Sequence, residues 1–179
     1  PIGEERTLQI AVDWALRRRA GLVVVNVSTS MGVEFIAQRY GATVERSRVG
    51  EAHVAELLMA RGGVIGGEGN GGVIYHELHA TRDGLMAAAI ALDWFSLDAR
   101  PLSERVAELP PLVMVKRKLD LRITAPESLG SALQQAFPDG TRNRLDGEKF
   151  IWKDQWVQVR ASGTEPVVRI IAEAPTDTR

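Results

Sequence analysis

The chain has 179 residues, 45% hydrophobic and 25% charged, the ordinary mix of a folded globular protein and not of a low-complexity disordered one. Lys plus Arg number 22 and Asp plus Glu 23, and the resulting net charge of -1 argues against a general nucleic-acid binder, because phosphate backbones are held by a surplus of cations. The sequence contains no cysteine, which excludes disulfides, thiolate metal sites and cysteine nucleophiles, and no apolar run approaches the ~18 residues of a membrane span.

The opening Pro1-Ile2-Gly3-Glu4-Glu5 is polar and acidic, unlike a secretory signal, and a cytoplasmic setting is expected. The absent start Met and the abrupt end at Pro175-Thr176-Asp177-Thr178-Arg179 suggest part of a longer chain. Leu8, Ala11, Val12, Ala15 and Leu16 recur at helical spacing, and Gly21 stops that helix. Leu22-Val23-Val24-Val25-Asn26-Val27 is a nearly continuous β-branched run, which predicts a strand buried on both faces of a parallel sheet. A helix stripe at Val33, Ile36, Ala37 and Tyr40 ends at Gly41, and Ala42–Ser47 is a short strand. Val54, Leu57, Leu58 and Arg61 predict the next helix, and Val64-Ile65-Gly66 a further strand. After a glycine-rich loop at 66–72, Val73–His76 is extended. Leu85, Ala88, Ala89 and Leu92 mark a long alanine-rich helix with Asp83 as its N-cap. Alternating strands and helices predict an α/β layer with a mixed, mostly parallel sheet over residues 1–97.

The stretch 98–112 contains Pro101, Pro110 and Pro111 and is expected to be a linker and hinge. Beyond it, 113–179 predicts a smaller α+β domain with an antiparallel sheet. Val113–Leu119 alternates apolar and basic residues like a half-exposed strand. Ala132, Leu133, Ala136 and Phe137 form one helix face. Leu145-Asp146-Gly147-Glu148 signals a hairpin turn, and Gln155–Arg160 and Val167–Ala174 are strands around a polar loop.

Two loops carry chemistry. Gly66-Gly67-Glu68-Gly69-Asn70-Gly71-Gly72 combines glycines, which let a ligand approach the backbone, with one carboxylate and one amide. An ionised carboxylate accepts from vicinal hydroxyls and an amide both donates and accepts, a set that suits a neutral polyol. A dinucleotide loop is the rival, but its glycine spacing matches poorly and strand residues, not a helix, follow. A plain turn with Glu68 solvated is the other alternative. The second loop, Arg160-Ala161-Ser162-Gly163-Thr164-Glu165-Pro166 with Arg169 after it, offers hydroxyls, backbone N–H groups and guanidiniums for a phosphate. An ordinary hairpin loop with Arg160 in a surface ion pair is its alternative. Gly50-Glu51-Ala52-His53 could place Glu51 or His53 in a cleft, or simply set Glu51 at a helix N-terminus. His53, His76 and His79 never stand at a metal spacing joined to carboxylates, so no metal site is expected in this chain.

Together, Gly67-Glu68-Gly69-Asn70-Gly71 and Arg160–Pro166 with Arg169, along with Arg82-Asp83-Gly84 and Val49-Gly50-Glu51, resemble in order and spacing the C-terminal half of an α-D-phosphohexomutase. These are the phosphoglucomutases, phosphomannomutases and phosphoglucosamine mutases. The resemblance implies that residues 1–97 are domain III with the sugar-recognition loop, and 113–179 a C-terminally truncated domain IV with the phosphate-binding loop. It implies an isomerase that interconverts hexose 1-phosphate and hexose 6-phosphate through a hexose 1,6-bisphosphate. Glu68, Asn70 and Gly71, with Glu51 or His53, would contact the sugar. Arg160, Ser162, Gly163, Thr164 and Arg169 would hold phosphate. The phosphoserine and the Mg²⁺ loop of the family would lie in N-terminal domains outside this chain, because neither a Ser-His-Asn-Pro-like segment nor an Asp-Gly-Asp-x-Asp loop occurs here. Partners would be phosphorylated hexoses and those N-terminal domains, not nucleic acid or membrane. A non-catalytic sugar-phosphate binding module is the alternative. Asn70 stands where Ser is commoner in the family, and Ser28-Thr29-Ser30 where some members place a lysine facing the ligand.

Overall fold

The computed structural model describes residues 2–120 and 126–175, with side chains throughout except at 126–129. The chain divides into two compact units, Pro1–Pro111 and Leu112–Arg179.

The first unit runs α1 (Glu4–Arg18), β1 (Leu22–Asn26), α2 (Gly32–Arg39), β2 (Thr43–Ser47), α3 (Glu51–Ala60), β3 (Ile65–Glu68), β4 (Gly72–Ile74), α4 (Gly84–Ser96) and α5 (Leu102–Ala107). Its sheet has the order β2-β1-β3-β4, with β1 parallel to β2 and β3 and β4 antiparallel at the edge. The valine run of β1 is buried on both faces, as its composition requires. Val23 and Val25 enter a core with Leu8 and Val12 of α1, Ile36 of α2 and Ile90 of α4. Val24 faces the other way and packs with Val54 and Leu58 of α3 and Ile74 of β4. Three layers result, each buried aliphatic side chain contributing about 1.5–3 kcal/mol of transfer free energy.

Asp13 fastens the helices of the larger layer. It is buried, and it accepts from Trp94 Nε1 at 2.6 Å, Tyr40 Oη at 2.6 Å and Arg17 Nε at 2.7 Å. Burial opposes its charge, but the three hydrogen bonds together outweigh that and hold its carboxyl below the usual aspartate range. The same contact and burial push the Tyr40 phenol up to about 12.

Two expectations for this unit need correction, while the alanine-rich helix forms as α4. The glycine-rich stretch 66–72 is a hairpin and not a loop: Gly66 and Gly67 belong to β3, Gly72 opens β4, and only 69–71 turn. The face of α4 that packs is Met86, Ala87, Ile90 and Trp94, whereas Leu85 is 87% and Leu92 68% exposed. Within 98–112, α5 is packed on the first unit. Arg105 is buried, lies 3.7 Å over the Trp94 ring and donates to Phe95 O at 2.8 Å, while Leu109 is buried and Pro110 O accepts from Arg6 at 2.7 Å. Asp83 caps α4 as expected, accepting from Met86 N at 2.9 Å.

The second unit contains β5 (Val113–Asp120), α6 (Pro126–Ala136), β6 (Thr141–Asn143), β7 (Glu148–Ile151), β8 (Trp156–Ala161) and β9 (Val167–Ala174). All strands are antiparallel in the order β5-β9-β8-β7-β6. Phe137, just past α6, packs on Phe150 and Trp152 with ring centroids 5.7 and 5.5 Å apart, while Ala132 and Ala136 are exposed. The Asp146-Gly147 turn joins β6 to β7 with Gly147 at φ 72, as the dipeptide predicts. Among the described residues no helix is long and apolar enough to cross a membrane.

Candidate functional site

β1, β2 and β3 are parallel and end on the same edge, at Asn26, Ser47 and Glu68. From β1 the chain crosses to β2 on one side and returns to β3 on the other, so the winding reverses between β1 and β3. Ligands of open α/β sheets bind in the crevice at the carboxyl ends of the strands at such a switch point. Val25 and Gly67 are register partners, which sets Asn26 and Glu68 side by side across that gap.

Glu68 is 5% exposed. A buried carboxylate is costly unless it is hydrogen-bonded, and this one is. Its Oε1 accepts from Asn26 Nδ2 at 2.8 Å and from Gly50 N at 3.0 Å. Gly50 is the N-cap of α3 with φ 130, a conformation that L side chains avoid. Its donor therefore reaches Glu68 from a helix N-terminus, where negative charge is favoured. The other oxygen, Oε2, lies 4.0 Å from Arg82 Nη1. The turn after Glu68 is held by Gly69 N, which donates to Thr29 Oγ1 at 3.0 Å, and Thr29 in turn donates to Asn26 Oδ1 at 3.0 Å.

Arg82 connects the two carboxylates of this edge. Its backbone N–H and Nε donate to Glu51 at 2.8 and 2.6 Å, which keeps the Glu51 carboxyl below the usual range against its partial burial. Glu51, Asn70, Gly71, Gly72, Arg82 and Asp83 border an open pocket of about 400 Å³. Three of the sugar-contact candidates, Glu51, Asn70 and Gly71, thus share one pocket, and Arg82 ties it to Glu68. Asn70 is exposed and its Oδ1 accepts from Gly72 N at 3.2 Å. His53 is exposed on the first turn of α3.

In the second unit Arg160 and Arg169 are directly opposed on β8 and β9. Like charges so placed repel, and anions must offset them. Arg160 Nε pairs with Asp146 Oδ1 at 3.1 Å, and Arg169 Nη2 with Glu165 Oε2 at 2.5 Å. Lys118 also donates to Glu165, at 2.9 and 3.0 Å, and with Arg169 lowers its carboxyl below the usual range. Arg169 Nε reaches Ser162 Oγ at 3.3 Å, and Ser162 Oγ and Thr164 Oγ1 are 3.5 Å apart. Gly163 is exposed, and a Cβ there would meet no atom within 4 Å. Arg160, Ser162, Thr164 and Arg169 therefore converge on one end of the β8–β9 hairpin, beside an unobstructed stretch of backbone. The ion pair expected of Arg160 is present, but it is largely buried and not a surface pair, the two side chains being 14% and 18% exposed.

Sequence reasoning missed Asn26, Thr29 and Arg82 as neighbours of Glu68. Asn26 had a readable signal, a lone amide closing a buried valine strand. The other two depend on which loops the sheet brings together. Among the described residues no group of three or more His, Asp or Glu side chains could hold a metal ion, so the Mg²⁺ implied by the resemblance has no fitting residues there.

Comparison with known proteins agrees with this geometry. Residues 4–113 match the family model of the phosphoglucomutase/phosphomannomutase alpha/beta/alpha domain III, and residues 114–179 that of the phosphoglucomutase/phosphomannomutase C-terminal domain. A phosphoglucomutase/phosphomannomutase of Thermococcus kodakarensis is 37% identical over 177 residues, covering 98% of this chain and 39% of the relative. A phosphoglucosamine/phosphogalactosamine mutase of Sulfurisphaera tokodaii is 34% identical over 155 residues, covering 85% of this chain and 34% of the relative. The crystal structure of a phosphoglucomutase/phosphomannomutase family protein from Burkholderia thailandensis superposes with a TM-score of 0.81 at 25% identity, covering 98% of this chain and 38% of that one. The chain thus spans well under half the length of the relatives it matches. It belongs to the phosphoglucomutase/phosphomannomutase family, whose domain III and C-terminal domain it comprises.

Proposed function

We propose that this chain is the substrate-binding half of a phosphohexomutase, an isomerase that interconverts hexose 1-phosphate and hexose 6-phosphate through a hexose 1,6-bisphosphate. The observation that carries this reading is Glu68, a buried carboxylate fixed at the sheet's switch point by two donors on one oxygen. Its second oxygen faces a guanidinium that borders an open pocket. A carboxylate with pinned geometry accepts hydrogen bonds from two adjacent ring hydroxyls. It can do so whichever end of the sugar is being phosphorylated, because acceptance has no direction along the ring. Asn70 and Gly71 border the same pocket and supply further polar contacts. Arg160, Ser162, Gly163, Thr164 and Arg169 take the phosphate that is not reacting, and exchange carboxylate partners for a phosphate dianion that offers bidentate geometry. These groups position and neutralise, the two contributions that dominate phosphoryl transfer. The phosphoserine and Mg²⁺ would be supplied by the N-terminal domains, so the 179-residue chain alone is expected to bind without turnover.

Calorimetric titration of the chain with glucose 1,6-bisphosphate and with inorganic phosphate tests the reading. Glucose 1,6-bisphosphate should bind more tightly, and Glu68→Gln should remove most of that preference while leaving phosphate affinity in place. Equal affinity for the two ligands in the unaltered chain would falsify it.

A further inference from the structure

We infer that Arg46, which stands outside the ligand pocket, is a positioning residue that sets where Glu68 sits. This rests on the reading of Glu68 as the sugar-hydroxyl acceptor. Arg46 lies on β2 with its side chain only 15% exposed. Its Nε and Nη2 form a fork on the Glu34 carboxylate of α2, both at 2.8 Å. The rest of the guanidinium gathers the backbone of the β1–α2 loop. Nη1 donates to Thr29 O at 2.8 Å and Asn26 O at 3.0 Å, with Val27 O at 3.4 Å, and Nη2 reaches Ser30 O at 3.4 Å. All three nitrogens are engaged, and one planar cation binds the Glu34 carboxylate and four carbonyls of this loop at once.

The residues it gathers are those that hold Glu68. Asn26 donates to Glu68 Oε1 at 2.8 Å, and Thr29 Oγ1 takes the N–H of Gly69, the next residue along, at 3.0 Å. Asn26 Oδ1 accepts from Ser28 N and Thr29 Oγ1 at 2.9 and 3.0 Å, so the loop moves as one hydrogen-bonded piece. Arg46 fixes that piece against β2 and α2, and the piece fixes the carboxylate. A lysine would retain the charge but not the fork, since one ammonium cannot span Glu34 and the loop carbonyls together.

Arg46→Lys and the milder Glu34→Gln test this on the 179-residue chain, with glucose 1-phosphate and inorganic phosphate as probes. Amide hydrogen exchange is followed at Gly69 and at the sheet amides of β1. In Arg46→Lys the Gly69 amide should exchange about tenfold faster while β1 stays protected. Affinity for glucose 1-phosphate should fall about tenfold, roughly the worth of one misplaced hydrogen bond, and phosphate affinity should hold. Glu34→Gln should move both readouts in the same direction by less. Unchanged Gly69 exchange and unchanged glucose 1-phosphate affinity in both variants overturn the proposal. So does a uniform loss of β1 protection and of both affinities, which marks a purely structural residue. If the unaltered chain does not prefer glucose 1-phosphate to phosphate, the reading of Glu68 fails, whatever the variants do.

Discussion

On the proposed reading, Arg160 and Arg169, register partners on β8 and β9, would offer two guanidiniums to one phosphate dianion in place of their carboxylate partners. Truncation of Arg160 removes a charge-assisted donor and frees Asp146 to repel the incoming phosphate. Arg160→Ala should therefore weaken phosphate-ester binding by about 2–4 kcal/mol, measured by calorimetry. An affinity within twofold of the parent would remove Arg160 from the site. Gly163 allows a cleaner separation of folding from binding. A methyl group there meets nothing within 4 Å, and the residue has no positive φ. Gly163→Ala should leave the melting temperature unchanged yet lower phosphate affinity, because the methyl group occupies the space through which a ligand reaches the backbone. A variant that binds as before would mean that the ligand keeps its distance from this turn. Arg160, Ser162, Thr164 and Glu68 could be named as candidates from the sequence because hydroxyls, guanidiniums and a carboxylate set among glycines state their chemistry locally. Arg46, and the contacts of Arg82 with Glu51 and Glu68, could not, because they arise only when the sheet brings β1, β2 and β3 to one edge.

The first unit shows why some elements could be read from the chain and others could not. β1 was legible because a strand buried on both faces must be apolar at every position, whatever surrounds it. The hairpin of β3 and β4 was hidden because Gly66 and Gly67 have no side-chain pattern to alternate. What joins α1, α2 and α4 was also invisible: Asp13 sits in an otherwise apolar stripe and receives donors from Tyr40 and Trp94, far along the chain. Its depressed carboxyl titration supports folding above the ordinary aspartate value of 3.8, and that support is lost as pH falls through the lower folded-state value. The raised Tyr40 phenol acts at the other end, its contribution complete below the ordinary 10.0 and lost as pH climbs toward about 12. Asp13→Asn should flatten the acid limb of a stability-versus-pH curve. Asp13→Ala, which strands the Trp94 and Tyr40 donors, should cost about 2–4 kcal/mol near neutral pH. Chemical denaturation across pH 2.5–6 would show this, and an acid limb as steep in Asp13→Asn as in the parent would contradict it.

At the scale of the whole molecule, α4 shows how far periodicity can mislead. Leu85, Ala88, Ala89 and Leu92 are spaced as a core stripe, yet they form the outward side, and the inward side is Met86, Ala87, Ile90 and Trp94. Both sides of this helix are apolar, so period alone cannot choose between them; Trp94, with its indole N–H on Asp13, decides. The two sides should respond oppositely to mutation. Leu92 is 68% exposed, and Leu92→Lys should change the stability of this chain by no more than about 0.5 kcal/mol. Ile90 is 4% exposed within the main core, and Ile90→Ala should cost about 2–4 kcal/mol through lost burial and the cavity left behind. Thermal melts of the two variants side by side decide the matter. A Leu92→Lys chain as destabilised as Ile90→Ala would mean that the outward stripe is covered in solution and that α4 packs on both of its sides.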